Sequence, residues 1–138
     1  MTRFVPLLLA AALSACAPQV VPHDNSPPQS VAVSLTGHWR IAAIDGRDLN
    51  EPQGLALVGD ANQLWMEPRC AGLIRNYRIS GNSFSSTPEN VGMVCMIGMP
   101  QSSGLAMQAI DVATRIERTP ENGILLSGGG RSLLIFSQ

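Results

Sequence analysis

Residues 35–46 read LTGHWRIAAIDG, and this stretch decides the fold. Trp39, Ile41 and Ala43 alternate with His38, Arg40 and Ala42, the period of two of a half-buried strand, and Asp45-Gly46 then supplies a tight hairpin turn. The same pattern recurs downstream. Leu55 to Val58 and Gln63 to Glu67 flank the turn Gly59-Asp60-Ala61-Asn62, while Leu73 to Ile79 and Ser83 to Ser86 flank Ser80-Gly81-Asn82. Towards the end, Arg115 to Thr119 and Gly123 to Ser127 flank Pro120-Glu121-Asn122, and Gly128-Gly129-Gly130 leads into Arg131 to Phe136. Hairpins without long crossovers predict an antiparallel sheet.

A single helix interrupts the strands. SSGLAMQAIDVATRI offers Ser102 or Ser103 as N-cap and spaces Leu105, Ala109, Val112, Ala113 and Ile116 along one face. One amphipathic helix suffices to close a mouth or face of a curled sheet. The expected fold is therefore mainly β, a partly open antiparallel barrel with one helix near the C-terminal part.

Lys and Arg number 9 against 10 Asp and Glu in 138 residues, so no strong field attracts nucleic acid. Charged residues at 14%, with 13 Gly and 10 Pro, suit short elements joined by turns.

The N-terminal sequence MTRFVPLLLAAALSAC has a cation at Arg3, an apolar run from Phe4 to Leu13 and small residues before Cys16, the pattern of an export signal. That run is about ten residues, half of the roughly 20 a spanning helix needs. Leu13-Ser14-Ala15-Cys16 resembles the bacterial lipobox, in which the chain is cut before the cysteine and the thiol is lipidated. This divides the chain into a signal peptide (1–15), a lipidated Cys16 with a Pro-rich tether (16–34) and a folded domain (35–138). Ala17 is not the aspartate that retains such lipoproteins at the inner membrane, so the resemblance implies an outer-membrane anchor facing the periplasm. In that compartment Cys70 and Cys95, the two cysteines of the domain, are expected to form a disulfide. Buried free thiols and a metal or redox role are the alternatives. A bridge would close a loop of about 25 residues and stabilise the domain by about 3.5 kcal/mol on the chain-entropy account.

In this layout the chain resembles the META domain, the family of the heat-shock protein HslJ and similar bacterial lipoproteins. Leu35-Thr36-Gly37-His38-Trp39 is similar to the family's opening L-x-G-x-W, followed by the Asp45-Gly46 turn. Cys70 stands where the family has G-C-N, with Arg69 and Ala71 in place of its Gly and Asn. Tyr77, Ile79, Gly81 and Phe84 fall at the family's spacings, Met93 and Cys95 match its M-x-C, and Arg131 to Phe136 resembles its closing strand. The resemblance implies a lipocalin-like barrel in a periplasmic or membrane-tethered setting, a possible stress connection and no established enzyme activity.

The candidate sites follow from residue chemistry. Trp39 and Trp65 are the large aromatics that could contact a ligand, although Trp39 is expected in the core. Met93, Cys95, Met96 and Met99 in VGMVCMIGMP offer thioether and thiolate donors of the kind that hold copper(I). Against that stands packing, in which the methionines fill gaps beneath the barrel. Ser85-Ser86 and Ser102-Ser103 lack a G-x-S-x-G setting, and Gly128-Gly129-Gly130 lacks the features of a phosphate loop. Nothing singles out a catalytic pair among Asp45, Asp48 and Glu51. The expected function is that of a non-enzymatic lipoprotein without cofactor, binding an envelope protein, a peptide or a small apolar ligand. Soft-metal binding is the alternative.

Overall fold

The computed structural model describes residues 32–50, 54–89, 92–96 and 98–138. The expected signal peptide, Cys16 and the expected tether as far as residue 31 lie outside the described residues, as does Glu51. The strands are β1 (Gly37–Ile44), β2 (Arg47–Asp48), β3 (Ala56–Gly59), β4 (Gln63–Met66), β5 (Ile74–Ser80), β6 (Ser83–Glu89), β7 (Arg115–Arg118), β8 (Ile124–Gly128) and β9 (Arg131–Ser137). The helix α1 (Gln101–Val112) lies between β6 and β7. From β3 onward each strand pairs antiparallel with its successor, and β9 returns to β1. The result is a closed antiparallel barrel, consistent with a lipocalin-like architecture, with the two-residue β2 as an extra strand on β1.

Closure is uneven around the wall. β1 and β9 run together from Trp39 opposite Ser137 to Ile44 opposite Leu133, whereas β6 meets β7 in a ladder only at Ser83 opposite Arg115. The barrel's open character is confined to this seam. Pro88 sits where β6 has left β7 behind, and its missing N–H suits an unladdered edge.

Turn chemistry sets the hairpins as expected. Asp45 and Gly46 both take positive φ, 52° and 74°, as a type I′ turn requires. The glycine triplet does more than turn the chain. A Cβ on Gly128 would lie 2.5 Å from the carbonyl oxygen of Val112, and one on Gly129 would lie 2.8 Å from the Val112 Cβ. Bare backbone at the β8–β9 tip therefore lets the end of α1 seat against it.

Two expectations are corrected. The strand alternation holds through Ile41, but a β-bulge between Ile41 and Ala43 shifts the register of β1 against β9. The extra residue changes which side faces inward, so Ile44 joins the core cluster beside Trp39 and Ile41, and Ala43, though buried, does not. In α1 the N-cap is Pro100 with no side-chain capping bond, and Ser102 and Ser103 lie buried in the first turn. The buried face is Ser102, Ser103, Ala106, Met107, Ala109 and Ile110, while Leu105 and Val112 face outward. Helical geometry ends at Val112, so Ala113 and Ile116 are buried as extended chain instead. The reason is volume. Leu57, Leu64, Ile116, Leu126, Leu133 and Ile135 already fill the interior at 0% exposure, and only a face built largely of small side chains can approach so closely.

One cation also faces inward. Arg75 lies on the same side of β5 as Tyr77 and is buried. Its guanidinium donates from Nε to Asp111 Oδ1, from Nη2 to Asp111 Oδ2 at 3.0 Å, and from Nη1 to the carbonyls of Gly72 and Ile74 at 2.9 and 3.0 Å. Ser86 Oγ adds a donor to the carbonyl of Ile110 at 2.9 Å, so β5 and β6 together hold the helix. Asp111→Ala strands the Arg75 guanidinium and should lower stability by about 2–3 kcal/mol in urea denaturation, while the double substitution Arg75→Met with Asp111→Leu should recover most of that loss.

A candidate binding cleft beside the disulfide

Strand period divides β4, β5 and β6 into two faces. Leu64, Met66, Tyr77 and Phe84 point to the core, so Gln63 and Trp65, Ile74 and Asn76, Thr87 and Glu89 belong to the outer wall. The register aligns them in two rows. Gln63 lies opposite Asn76 and Asn76 opposite Thr87, while Trp65 lies opposite Ile74 and Ile74 opposite Glu89.

After β4 the chain turns through Cys70, whose N–H donates to the carbonyl of Pro68 at 2.8 Å. Cys70 is buried and bonded to Cys95, with Cα atoms 5.5 Å apart, so the expected disulfide is formed. An isolated parallel bridge pairs Cys70 with Met93, and the Ala71 N–H donates to the Met93 carbonyl at 2.8 Å. Residues 92–96 are thereby laid against the wall. Gly92 lies over Ile74, where a Cβ would come within 3.3 Å of its Cδ1. Between this segment and the strands runs an open cleft of about 540 Å³ lined by Gln63, Arg69, Ile74, Glu89, Gly92 and Met93.

Its polar lining is connected. Arg69 Nη2 donates to Gln63 Oε1 at 2.5 Å, Gln63 Nε2 to Asn76 Oδ1 at 2.9 Å, and Asn76 Nδ2 to Glu89 Oε2 at 2.8 Å. The end groups fix both amide orientations, because a guanidinium only donates and a carboxylate only accepts. All three bonds run in one sense from cation to anion, so each polarises the next. Arg69 is further held with its guanidinium carbon 4.3 Å from the centre of the Trp65 ring. Gln63 is itself positioned by Asp60, whose Oδ1 accepts the backbone N–H groups of Asn62 at 2.9 Å and Gln63 at 2.7 Å. Those two bonds hold the Asp60 carboxyl below its ordinary value of 3.8, with Arg69 adding to the effect. Tyr77, whose hydroxyl donates to the Asp60 carbonyl at 2.6 Å, has its pKa raised above 10.0 by burial and then by the Asp60 charge.

The aromatic and sulfur candidates separate here. Trp39 is 6% exposed and its indole N–H donates to the carbonyl of Leu35 at 2.8 Å, so it is a core residue out of a ligand's reach. His38 is exposed on the opposite face of β1, as strand alternation predicts. Trp65 belongs to the wall beside the cleft as the platform for Arg69. Packing of the methionines beneath the barrel is overturned, because Met93 is 75% and Met96 95% exposed, with Val94 between them at 74%. Only Met99 is half-buried among the three. The disulfide ties down the backbone of this segment while its side chains project outward. Cys95 in the disulfide has no thiolate to offer copper, which leaves Met93, Met96 and Met99 as the soft donors. Among the described residues no cluster of three or more His, Cys, Asp or Glu side chains has metal-holding geometry.

Sequence reading missed Arg69, Gln63, Ile74, Asn76 and Glu89. The available signal was Gln63 and Trp65 at a spacing of two, with Arg69 beside a cysteine, but their meeting with Asn76 and Glu89 depends on register across three strands. No family model, no curated protein and no solved structure matches the chain.

Exposure predicts a chemical contrast among the methionines. Hydrogen peroxide should convert Met93 and Met96 to sulfoxides at least about tenfold faster than Met66 and Met107, which are 1% and 3% exposed, as read by peptide mass mapping. A second expectation concerns acid. Because the folded-state pKa of Asp60 is depressed, its stabilising contribution is complete above the ordinary value of 3.8 and is lost as pH falls below it. Asp45, held low chiefly by the Ser132 N–H and then by Arg131, acts in the same window. Denaturation between pH 5 and pH 2 should therefore show a smaller acid-induced loss for Asp60→Ala than for the parent, with Asp45 responsible for part of what remains.

Proposed function

We propose that this chain is a non-enzymatic lipoprotein of the bacterial cell envelope with a META/HslJ-like domain and the stress connection that resemblance implies, anchored through Cys16 to the outer membrane and facing the periplasm, where it binds a peptide, protein or small apolar ligand. The observation that carries the reading is the disulfide-held segment that leaves Met93 and Val94 exposed at the edge of a cleft with Arg69 already positioned. Exposed apolar side chains beside a preformed concave surface are characteristic of binding sites. A disulfide at the base of that segment also suits an oxidising compartment. The packed interior favours a ligand on the outer wall over one inside the barrel.

Two measurements test this reading. In a bacterial host the full chain should fractionate with the outer membrane and carry a diacylglycerol mass on Cys16, and Cys16→Ala should abolish both. A photo-cross-linking residue at position 94 should capture a ligand or partner that the same residue at exposed Glu121 does not, and Met93→Gln with Met96→Gln should reduce the capture severalfold. Equal capture at positions 94 and 121 would remove the cleft from consideration.

A further inference from the structure

We infer that the cleft takes a monocarboxylate with an adjoining apolar group, the chemistry of a peptide C-terminus or an N-blocked apolar amino acid, with the carboxylate on Arg69 and the apolar group against the exposed side chain of Met93. This rests on the binding reading above and specifies its ligand. The ion pairs among the described residues join Arg75 to Asp111, Arg115 to Glu117 and Arg131 to Asp45, and none engages Arg69. Asp60 acts on Arg69 through its field, its Oδ1 accepting the backbone N–H groups of Asn62 and Gln63. Arg69 is nonetheless held in place. Trp65 supports one face of the guanidinium and Gln63 accepts from Nη2, which leaves donors of the planar fork for an anion. Fixing the side chain beforehand lowers the ordering cost that an exposed arginine otherwise meets on binding.

The remaining lining sets the class of anion. Met93, 75% exposed, gives the cleft an apolar wall near the cation, with Ile74 buried at its floor, so an anion that brings an apolar substituent gains from both wall and cation. Glu89 lines the same cleft and repels a second negative charge, which disfavours phosphate monoesters and dicarboxylates. Glu89 meets Arg69 only indirectly, through the polarised amides of Asn76 and Gln63, so the two charges are linked along the wall without pairing.

The two tryptophans provide the readout. Trp65 lies under Arg69 and Trp39 is in the core, so the indole N–H resonance of Trp65 reports on the cleft and that of Trp39 serves as an internal control for folding. N-acetyl-leucine and the peptide N-acetyl-Ala-Ala-Leu should both shift the Trp65 signal of the full-length exported protein at millimolar concentration, and the tighter of the two identifies the source of the carboxylate. Leucine amide should bind at least about tenfold more weakly, and Arg69→Gln should weaken N-acetyl-leucine by about 10- to 100-fold, with Arg69→Lys retaining part of the affinity. Glu89→Gln should improve binding of succinate relative to N-acetyl-leucine. Equal binding of leucine amide and N-acetyl-leucine, or an Arg69→Gln variant that binds as well as the parent, would overturn the carboxylate assignment while leaving a binding cleft in place. If neither probe moves Trp65, the monocarboxylate class falls, and the cross-linking comparison at positions 94 and 121 decides separately whether the cleft binds.

Discussion

The volume inside the barrel constrains everything else in the molecule. An eight-stranded barrel encloses room for side chains or for one small ligand, and here the aliphatic residues of six or more strands, joined by Met107 and Ile110 of the helix, occupy the interior. That packing explains why the helix presents serines and alanines to the wall, why glycines stand at the β8–β9 tip against Val112, and why Trp39 is unreachable. It also moves the chemistry outward. With the inside filled, the outer faces of β4, β5 and β6 are where polar and apolar groups converge beside an open volume.

That convergence depends on a covalent tie. Strands alone would present Gln63, Trp65, Ile74, Asn76 and Glu89 on a gently curved surface, and such surfaces hold small ligands poorly. The Cys70–Cys95 bond brings a second wall alongside, with the Met93 backbone hydrogen-bonded to Ala71 and Gly92 resting on Ile74. The bond thus has two roles of different kinds. It restricts the unfolded chain, as any cross-link does, and it gives an outer face depth.

The hairpins were legible because their signals are local. Asp45-Gly46, Ser80-Gly81-Asn82 and the glycine triplet each contain the residues their turns require, and the strands between them alternate visibly. The bulge in β1 was not legible, since one extra residue among IAAI leaves every local preference intact and is fixed only by the partner β9. The helix face was misread for a related reason. Leu105 and Val112 are the more hydrophobic choice, yet the space available selected Ser103, Ala106 and Ile110. The disulfide was expected from compartment and count, but the outward projection of Met93 and Met96 follows from how the bridge directs the backbone, which composition does not encode.

The pairing of β1 with β9 also bears on when the domain can form. Strand order around the wall follows strand order along the chain, so most of the sheet can assemble piece by piece as neighbours arrive. The exception is the contact between the first strand and the last, Gly37–Ile44 with Arg131–Ser137. Until β9 docks on β1, Trp39, Ile41 and Ile44 lack the neighbours that complete their burial. A chain without its last strand is therefore an unclosed sheet, and closure of this barrel waits on the pairing most distant in sequence.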